Sequence, residues 1–265
     1  IHILTTLDDI AWLLNIRGND VENCPVVLAY GVVTEEKVLL FAEDEKNGDK
    51  DEIWPEEVRQ YLKESGVELC PYDKFYQYVS EIHDKKVLLC KGRISCRLKK
   101  ELSEAVKVID KPNPTAAMKA VKNQVETENI RKAHIKDGVA VTRFMYWLKK
   151  NVGKIPMTEI SAAKYLENLR KETEHFIEPS FETICAYGAN GAIIHYSAQP
   201  QSCAEIRPEG LLMVDSGGHY MEGTTDITRT FVLGEVTPKM REHFTLVLRA
   251  MLQLKDTKFL KECRG

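Results

Sequence analysis

Two aspartates in one short stretch of the chain, DSGGHYMEGTTDITRTF (215–231), could bind a metal ion. Asp215 opens the stretch, and Asp226 follows after a glycine-rich segment. Two carboxylates that face each other away from water repel and are desolvated, unless a cation lies between them or one of them is protonated. A divalent metal would satisfy both. On spacing alone an alternative stays open, in which both aspartates are turn residues that accept hydrogen bonds from nearby backbone amides.

The segments on either side of this turn are typical of β-strands. GLLMVDS (210–216) is a buried-strand pattern that ends near the first aspartate, and DITRTFVL (226–233) begins with the second. Three glycines, Gly217, Gly218 and Gly223, allow the chain to double back between them. We therefore expect the two strands to be neighbours in one sheet, with the two carboxylates side by side.

Helices are predicted upstream of these strands. Residues 121–150 form a long amphipathic pattern, whose apolar face we assign to Ile130, Ala133, Ile135, Val139, Phe144 and Leu148. Thr158 stands where a helix N-cap belongs, ahead of apolar residues at helical spacing. From Phe181 onward, FETICAY, AIIHY, LLMVDS and DITRTFVL read as strands. Helices followed by consecutive strands favour an α+β domain with an antiparallel sheet.

The first part of the chain predicts a different class of domain. CPVVLAYGVV (24–33), KVLLFA (37–42) and KVLLC (86–90) are typical of strands, and WPEEVRQYLKES (54–65) is typical of a helix. Alternating strands and helices favour a three-layer α/β domain. The best candidate for a linker is DKPNPTAAMK (110–119), because of its two closely spaced prolines.

Composition excludes several classes of protein. The 37 basic and 40 acidic residues give a formal net charge of −3, without the positive field that holds a nucleic-acid backbone. We therefore expect no nucleic-acid partner. No run approaches the roughly 20 apolar residues of a membrane span, so we also expect no membrane association. The seven cysteines are scattered and form no CxxC pair, which favours reduced thiols and a cytoplasmic location.

Several of these segments resemble one protein family. The motifs NGAIIHY (190–196) and LLMVDSGGHYMEGTTDITRTF (211–231) are similar to those of the X-prolyl aminopeptidases (aminopeptidases P), within the creatinase-like metallopeptidases of pita-bread fold. The GTTDITRT form resembles the three-domain aminopeptidases P more than prolidases or methionine aminopeptidases. LDDIAWLLNIRGNDVENCPVVLAY (7–30) resembles the middle domain of that subgroup, and AVKNQVETENIRKAHIKDGVAV (120–141) resembles the first helix of its catalytic domain.

The resemblance implies an activity and a set of site residues. Family members hydrolyse the bond between an N-terminal residue and a following proline, using a water or hydroxide that bridges two divalent ions, usually manganese, with cobalt or zinc possible. Carried over by motif, Asp215 ligates one ion and Asp226 bridges both. His195 lies beside the metals and helps hold the substrate and the developing oxyanion. For His195 taken alone, a core histidine satisfied by a backbone carbonyl is the alternative interpretation.

The resemblance also implies that the chain is a fragment. The family site needs a further histidine and two glutamates, and Glu235, Glu242 and Glu262 do not stand in the matching context. We therefore expect residues 1–110 to form an N-terminally incomplete creatinase-N-like middle domain. Residues 111–265 would form the first half of a pita-bread catalytic domain. We expect this polypeptide, on its own, to be catalytically inactive.

Two other functions stay open. One is a prolidase-type X-Pro dipeptidase, which the GTTDITRT turn and the middle-domain match disfavour. The other is a metal-free pita-bread module that binds peptides or proteins, which the presence of Asp215, Asp226 and His195 disfavours. The family resemblance further implies peptides with proline at the second position as substrates, and a homodimer as the assembly of the complete enzyme.

Overall fold

The structure is a computed structural model of the chain. It describes residues 1–43, 45–46, 49–52, 54–260 and 263. Glu262, one of the acidic residues considered above, lies outside the described residues. The chain divides into two compact units, Ile1–Thr127 and Glu128–Gly265.

This division lies further along the chain than the boundary predicted at residue 110. The segment after that point packs within the first unit. Asn113 donates a hydrogen bond to Asp9 over 3.0 Å, and the ammonium group of Lys119 lies 2.9 Å from the same carboxylate. These contacts attach the proline-containing segment to the first unit rather than leaving it as a free linker.

The first unit is built around one mixed sheet. Its strands are β1 (His2–Leu4), β2 (Ala29–Val33), β3 (Val38–Ala42), β6 (Val67–Pro71), β7 (Lys86–Leu89) and β8 (Lys107–Asp110), in the order β6-β3-β2-β1-β7-β8. A separate pair consists of β4 (Glu45–Lys46) and β5 (Asp49–Glu52). The helices are α1 (Leu7–Leu14), α2 (Glu56–Glu64), α3 (Phe75–Ser80), α4 (Cys96–Glu101) and α5 (Pro114–Ala120).

Both faces of this sheet are covered. Alternate residues of a strand point to opposite faces, so Leu39 and Phe41 share one face of β3 while Leu40 lies on the other. Leu39 and Phe41 belong to a buried cluster that includes residues of α3 and α4. Leu40 belongs to a second cluster, with residues of α1 and α2. Helices therefore cover both faces, which confirms the predicted three-layer α/β arrangement.

The second unit combines helices with two small antiparallel sheets. Its helices are α6 (Gln124–Asn151), which begins just before the division, α7 (Glu159–Lys171) and α8 (Pro238–Asp256). One sheet joins β10 (Ile184–Tyr187), β11 (Leu211–Ser216) and β14 (Ile227–Val232) in that order. The other joins β13 (Gly223–Thr224), β12 (Gly218–Tyr220) and β9 (Phe176–Pro179). The predicted α+β class and antiparallel pairing are confirmed.

The buried face of α6 differs from the one predicted. Its buried residues are Ala133, Asp137, Ala140, Phe144 and Leu148. The prediction was wrong for Ile135 and Val139, which are 69% and 55% exposed. The observed spacing follows a single helical stripe, and this stripe includes a charged residue at its centre. A carboxylate therefore occupies a position that the apolar pattern assigns to the core.

Helix α7 begins where the sequence predicts it to begin. The Thr158 hydroxyl accepts a hydrogen bond from the Ser161 amide over 3.2 Å, and the Ser161 hydroxyl accepts one from the Thr158 amide over 2.8 Å. Two amides that the helix leaves unpaired are satisfied in this way. The helix then packs Leu166 against Phe144 of α6 and Leu212 of β11 in the core of the unit. Each such buried Leu or Phe stabilises the fold by about 1.5–3 kcal/mol.

Candidate metal centre

The two candidate metal-binding aspartates lie together at one end of the β10-β11-β14 sheet. Strands β11 and β14 pair antiparallel, with Asp215 opposite Thr228 and Ser216 opposite Ile227. Asp226 immediately precedes β14 and lies two residues before Thr228, the residue opposite Asp215. The prediction that the turn brings the two carboxylates side by side is therefore confirmed.

The electrostatic surroundings of this pair are unfavourable for two negative charges. Burial raises the pKa of Asp226 above its usual range, and the adjacent carboxylate of Asp215 raises it further. In the described part of the chain, one oxygen of Asp215, Oδ1, is buried without a hydrogen-bond partner. A buried acceptor with no donor is costly, and a cation would offset that cost.

The residues present fit a hard divalent ion in part. Asp215 and Asp226 supply carboxylate oxygens, which are the ligands that such ions prefer. Among the described residues, however, no group of three or more His, Cys, Asp or Glu side chains is placed to hold a metal. Glu235 and Glu242 are exposed and lie outside any such group. Two carboxylates are few ligands for fixing the geometry of an ion.

The turn between the aspartates is more elaborate than a simple hairpin. It contains β12 and β13, which pair with each other in the second small sheet. At Gly217 the backbone passes so close to its neighbours that a Cβ atom would lie 2.0 Å from the carbonyl oxygen of Thr225 and 2.3 Å from the hydroxyl of Ser180. Only glycine permits this approach. It brings the chain just after Asp215 against the chain just before Asp226.

A buried ion pair lies behind the turn. Arg170 of α7 donates from Nε to Oδ1 of Asp137 over 2.6 Å and from a terminal nitrogen to Oδ2 over 3.2 Å. The side chains of Arg170 and Asp137 are 1% and 0% exposed. The same guanidinium donates to the hydroxyl of Ser216, next to Asp215, over 3.1 Å. This pair therefore joins α6 and α7 to the end of β11.

Two hydroxyl groups also donate hydrogen bonds to the carboxylate of Asp137. Tyr220 donates to its Oδ1 over 3.0 Å, and Thr225 donates to its Oδ2 over 2.8 Å. Burial, followed by the nearby charge of Asp137, raises the pKa of Tyr220, so its phenol stays protonated and donating. Thr225 immediately precedes Asp226. The chain beside each aspartate of the candidate centre is thus attached to one buried carboxylate.

Sequence reasoning missed Asp137 and Arg170. Asp137 could have been found from its spacing, because it stands on the buried stripe of α6 between Ala133 and Ala140. A charged residue at a core position implies a buried partner of opposite charge.

His195 lies in a different setting from the one predicted. The prediction of a strand across AIIHY (192–196) is wrong: a 3₁₀ turn covers Gly188–Ala192, and the chain then runs as a loop. His195 is exposed and adopts a left-handed backbone conformation, with φ 57°. In the described part of the chain, no hydrogen bond or ion pair joins it to either aspartate. Because His195 is exposed, the alternative of a buried core histidine is excluded.

Two further histidines lie in the second unit. His219 belongs to β12, is buried, and places Nδ1 2.8 Å from the Thr224 hydroxyl of the neighbouring strand. His243 is an exposed residue of α8.

A third carboxylate, that of Glu222 in the turn between the aspartates, accepts hydrogen bonds from two side chains. Glu222 accepts at Oε1 from the ammonium group of Lys136 over 2.5 Å and from Nδ1 of His175 over 2.7 Å. The Lys136 hydrogen bond, helped by that of His175, lowers the pKa of Glu222 to about 2, although burial opposes the shift. Glu222 is therefore ionised at neutral pH and attaches the tip of the turn to α6.

Both units match known protein families. Residues 1–126 match the Creatinase/Prolidase N-terminal domain, and residues 128–259 match Metallopeptidase family M24. A Sclerotinia sclerotiorum protein named "Probable Xaa-Pro aminopeptidase P" is 37% identical over 273 residues, which cover 99% of this chain and 44% of that protein. A Sordaria macrospora protein of the same name is 35% identical over 275 residues, with the same coverage. The chain thus spans less than half the length of these curated relatives.

Solved structures agree with this assignment. The crystal structure of X-prolyl aminopeptidase from Caenorhabditis elegans, described as a cytosolic enzyme with a di-nuclear active site, is 28% identical with a TM-score of 0.88. It matches across 100% of this chain and 43% of its own. The prolidase from Pyrococcus horikoshii, at 23% identity and a TM-score of 0.69 over 95% of this chain and 66% of its own, shares the fold.

Within the described ranges, no helix has both the length and the apolar character needed to cross a bilayer.

The family matches and the solved structures show that the two units carry the creatinase N-terminal fold and the pita-bread fold, as predicted. The motif around the paired aspartates lies within the matched M24 region. The chain belongs to the aminopeptidase P family of M24 metallopeptidases.

Proposed function

We propose that this protein is a metal-dependent aminopeptidase, which hydrolyses the bond between an N-terminal residue and a following proline. The observation that carries this proposal is the Asp215–Asp226 pair, in which one buried carboxylate oxygen has no donor. A divalent ion would supply the partner that this buried oxygen lacks. Membership in the aminopeptidase P family supports the choice of reaction.

Each site residue has a proposed role. Asp215 would be a ligand of one divalent ion and Asp226 a ligand of both, with manganese as the physiological metal and cobalt or zinc as alternatives. When bound, such ions act as Lewis acids and lower the pKa of water. His195, on an exposed loop, donates a hydrogen bond to the substrate and to the oxygen that gains charge during cleavage. The di-nuclear active site of the C. elegans relative supports a count of two ions.

The substrate class separates this proposal from a prolidase. A prolidase cleaves Xaa-Pro dipeptides, whereas an aminopeptidase of this type accepts longer peptides with proline at the second position. The curated relatives named for Xaa-Pro aminopeptidase P favour the second activity. We further propose a cytoplasmic location, which the cytosolic C. elegans relative supports, and a homodimer as the assembly of the complete enzyme.

The decisive experiment uses the complete gene product, numbered as here, and a matched pair of peptides that differ only in proline or alanine at the second position. With Mn²⁺ supplied, we expect release of the N-terminal residue from the proline peptide alone. Asp226→Asn should reduce kcat/KM at least about a thousandfold, because it removes a ligand shared by both ions. Asp256→Asn, at an exposed position of α8, serves as the control and should leave it unchanged.

Two outcomes would overturn the proposal. Cleavage of Xaa-Pro dipeptides with no cleavage of longer peptides would assign the protein to the prolidases. Binding of the proline peptide without any cleavage, unaffected by Asp226→Asn, would favour the metal-free binding module. Titration calorimetry with Mn²⁺ distinguishes the prolidase from the metal-free binding module. Only an enzyme with a metal site should bind Mn²⁺ with a heat signal that Asp226→Asn weakens.

A further inference from the structure

A second buried carboxylate organises the loop that carries His195. Glu159, the first residue of α7, is 0% exposed. No cationic side chain pairs with it within 4.0 Å among the described residues. In the described part of the chain, all the donors to its carboxylate lie between residues 187 and 204, which span the whole loop.

The hydrogen bonds to Glu159 come from both ends and the middle of that loop. Oε1 accepts from the Tyr187 amide over 2.6 Å and from the Asn190 side chain over 3.0 Å. Oε2 accepts from the Tyr196 hydroxyl over 2.7 Å, from the Ala204 amide over 2.7 Å and from Asn190 over 3.2 Å. One carboxylate thus joins four points of a segment that has little regular structure of its own.

The ionisation states of these groups support the arrangement. Burial by itself would raise the pKa of Glu159, but the hydrogen bonds from Tyr187, Tyr196, Ala204 and Asn190 together outweigh it and hold the pKa below its usual range. Burial raises the pKa of Tyr196 to about 12, and its bond to Glu159 adds to this shift. At neutral pH the carboxylate is therefore charged and the phenol is a donor, as the geometry requires.

The loop tip projects between these attachment points. Tyr196 is buried, whereas the residue before it, His195, is exposed and Ile194 is 87% exposed. Since His195 is one residue from an anchored phenol and has a left-handed backbone, its ring direction depends on where Tyr196 is held. The main chain adds further support, through Glu159 N–H to Ala204 O (3.2 Å) and Ile206 N–H to Met157 O (2.8 Å).

We propose that Glu159 is the positioning residue for His195: its buried carboxylate holds the 187–204 loop so that the exposed imidazole occupies one place relative to the metal-binding aspartates. The proposal rests on the proposed catalytic role of His195. Glu159 itself touches neither substrate nor metal in this scheme. It acts by making a loop behave as a rigid element, which a catalytic group requires.

The first test measures amide hydrogen exchange in this chain by NMR. In Glu159→Gln, the amide group of glutamine replaces one acceptor oxygen by a donor that faces other donors. Exchange of amides 190–204 should accelerate about tenfold or more, while those of the α7 interior and β11 change less than about twofold. Glu167→Gln is the matched control, since Glu167 lies on the same helix and pairs with Lys171 at the surface.

A milder pair of variants keeps the test valid if Glu159→Gln does not fold. Tyr196→Phe removes one hydroxyl from Glu159, and Tyr187→Phe removes a hydroxyl that instead donates to the carbonyl of Glu209 over 3.0 Å. We expect the His195 ring signals to shift and broaden in Tyr196→Phe and to stay unchanged in Tyr187→Phe. Equal effects in both variants, no effect in Tyr196→Phe, or faster exchange throughout the unit would overturn the proposal.

The second test uses kinetics of the complete gene product. If Glu159 acts through His195, Glu159→Gln should lower kcat more than it changes KM. Adding it to His195→Ala should then lower kcat less than about twofold further, because the two changes remove one function. Independent, multiplicative losses would overturn the positioning role. If His195→Ala leaves kcat intact, the catalytic role of His195 fails, while the exchange experiment still tests whether Glu159 holds the loop.

Discussion

Asp137 and Asp215 are two carboxylates of one unit with opposite surroundings. Asp137 is fully buried, and it accepts hydrogen bonds from Arg170, Tyr220 and Thr225. Asp215 has a buried oxygen without a donor in the described structure, and its neighbour is another carboxylate, Asp226. The fold thus supplies its own cation to the first carboxylate and none to the second. The difference separates a carboxylate that holds the fold together from one that is available to a metal ion.

The largest loss of stability is expected when Asp137, the carboxylate whose hydrogen bonds are satisfied, is replaced. Asp137→Ala would leave Arg170 charged and buried, and would remove the acceptor of two hydroxyls. Breaking a buried pair in this way costs about 3–5 kcal/mol. Urea unfolding followed by circular dichroism should show a loss of this size in the free energy of unfolding.

A surface pair between the same two helices provides the control. Arg143 of α6 donates to Glu172, just after α7, over 2.8 Å, and both side chains are more than half exposed. Glu172→Ala should cost less than about 1 kcal/mol, because solvent screens the pair. If Asp137→Ala costs no more than Glu172→Ala, the buried carboxylate is not the structural centre of the unit.

The contrast between Asp137 and Asp215 also explains which features of the structure could be predicted from the sequence. Local signals predicted the N-cap at Thr158, the strands around 211–216 and 226–233 and the meeting of Asp215 with Asp226, since these depend on neighbouring residues and turn chemistry. The Asp137–Arg170 pair joins residues 33 positions apart on two helices. No local pattern encodes that distance. The apolar stripe of α6 was predicted correctly at Ala133, Phe144 and Leu148 but wrongly at Ile135 and Val139.

The prediction of a strand in the segment that carries His195 was wrong for a similar reason. The apolar run AIIHY has the composition of a strand, which favours pairing in a sheet. In the structure, donors at Tyr187, Asn190 and Ala204 instead converge on Glu159, outside the loop in sequence. A buried acceptor elsewhere in the chain thus outweighed local β-propensity, and only the tertiary structure could reveal it. The ligand roles of Asp215 and Asp226 stay predictions based on motif.

Glu222 lies between the two extremes and gives a pH-dependent test. Its pKa of about 2 is below the usual value of 4.5, so the unfolded state binds more protons between these two pH values. The stabilisation by Glu222 is therefore complete above pH 4.5 and is lost as the pH falls towards 2. Glu222→Gln should cost about 2 kcal/mol at pH 7, since hydrogen bonds to charged groups contribute about 1.5–3 kcal/mol.

The difference between wild type and Glu222→Gln should shrink when unfolding is measured at pH 5, 4 and 3. Glu174→Gln is the control, because Glu174 also faces His175 but is 78% exposed. Its effect should stay below about 0.5 kcal/mol at every pH. A constant difference for Glu222→Gln across this range would mean that its charge does not carry the stabilisation.

The smallest effect on stability is expected when Asp215, the carboxylate with an unsatisfied oxygen, is replaced. In metal-free buffer, Asp215→Asn replaces one of two repelling carboxylates by an amide that can donate to Asp226. The free energy of unfolding should therefore stay the same or rise by about 0.5–1 kcal/mol, the net contribution of one hydrogen bond. Glu235→Gln, which neutralises an exposed acid at the opposite end of the same sheet, controls for the change in net charge. Added Mn²⁺ should stabilise the wild type and the control but not Asp215→Asn, since only a bound ion shifts unfolding by mass action. A metal-free loss as large as that of Asp137→Ala would show that Asp215 is another structural acceptor, and the comparison between the two carboxylates would fail.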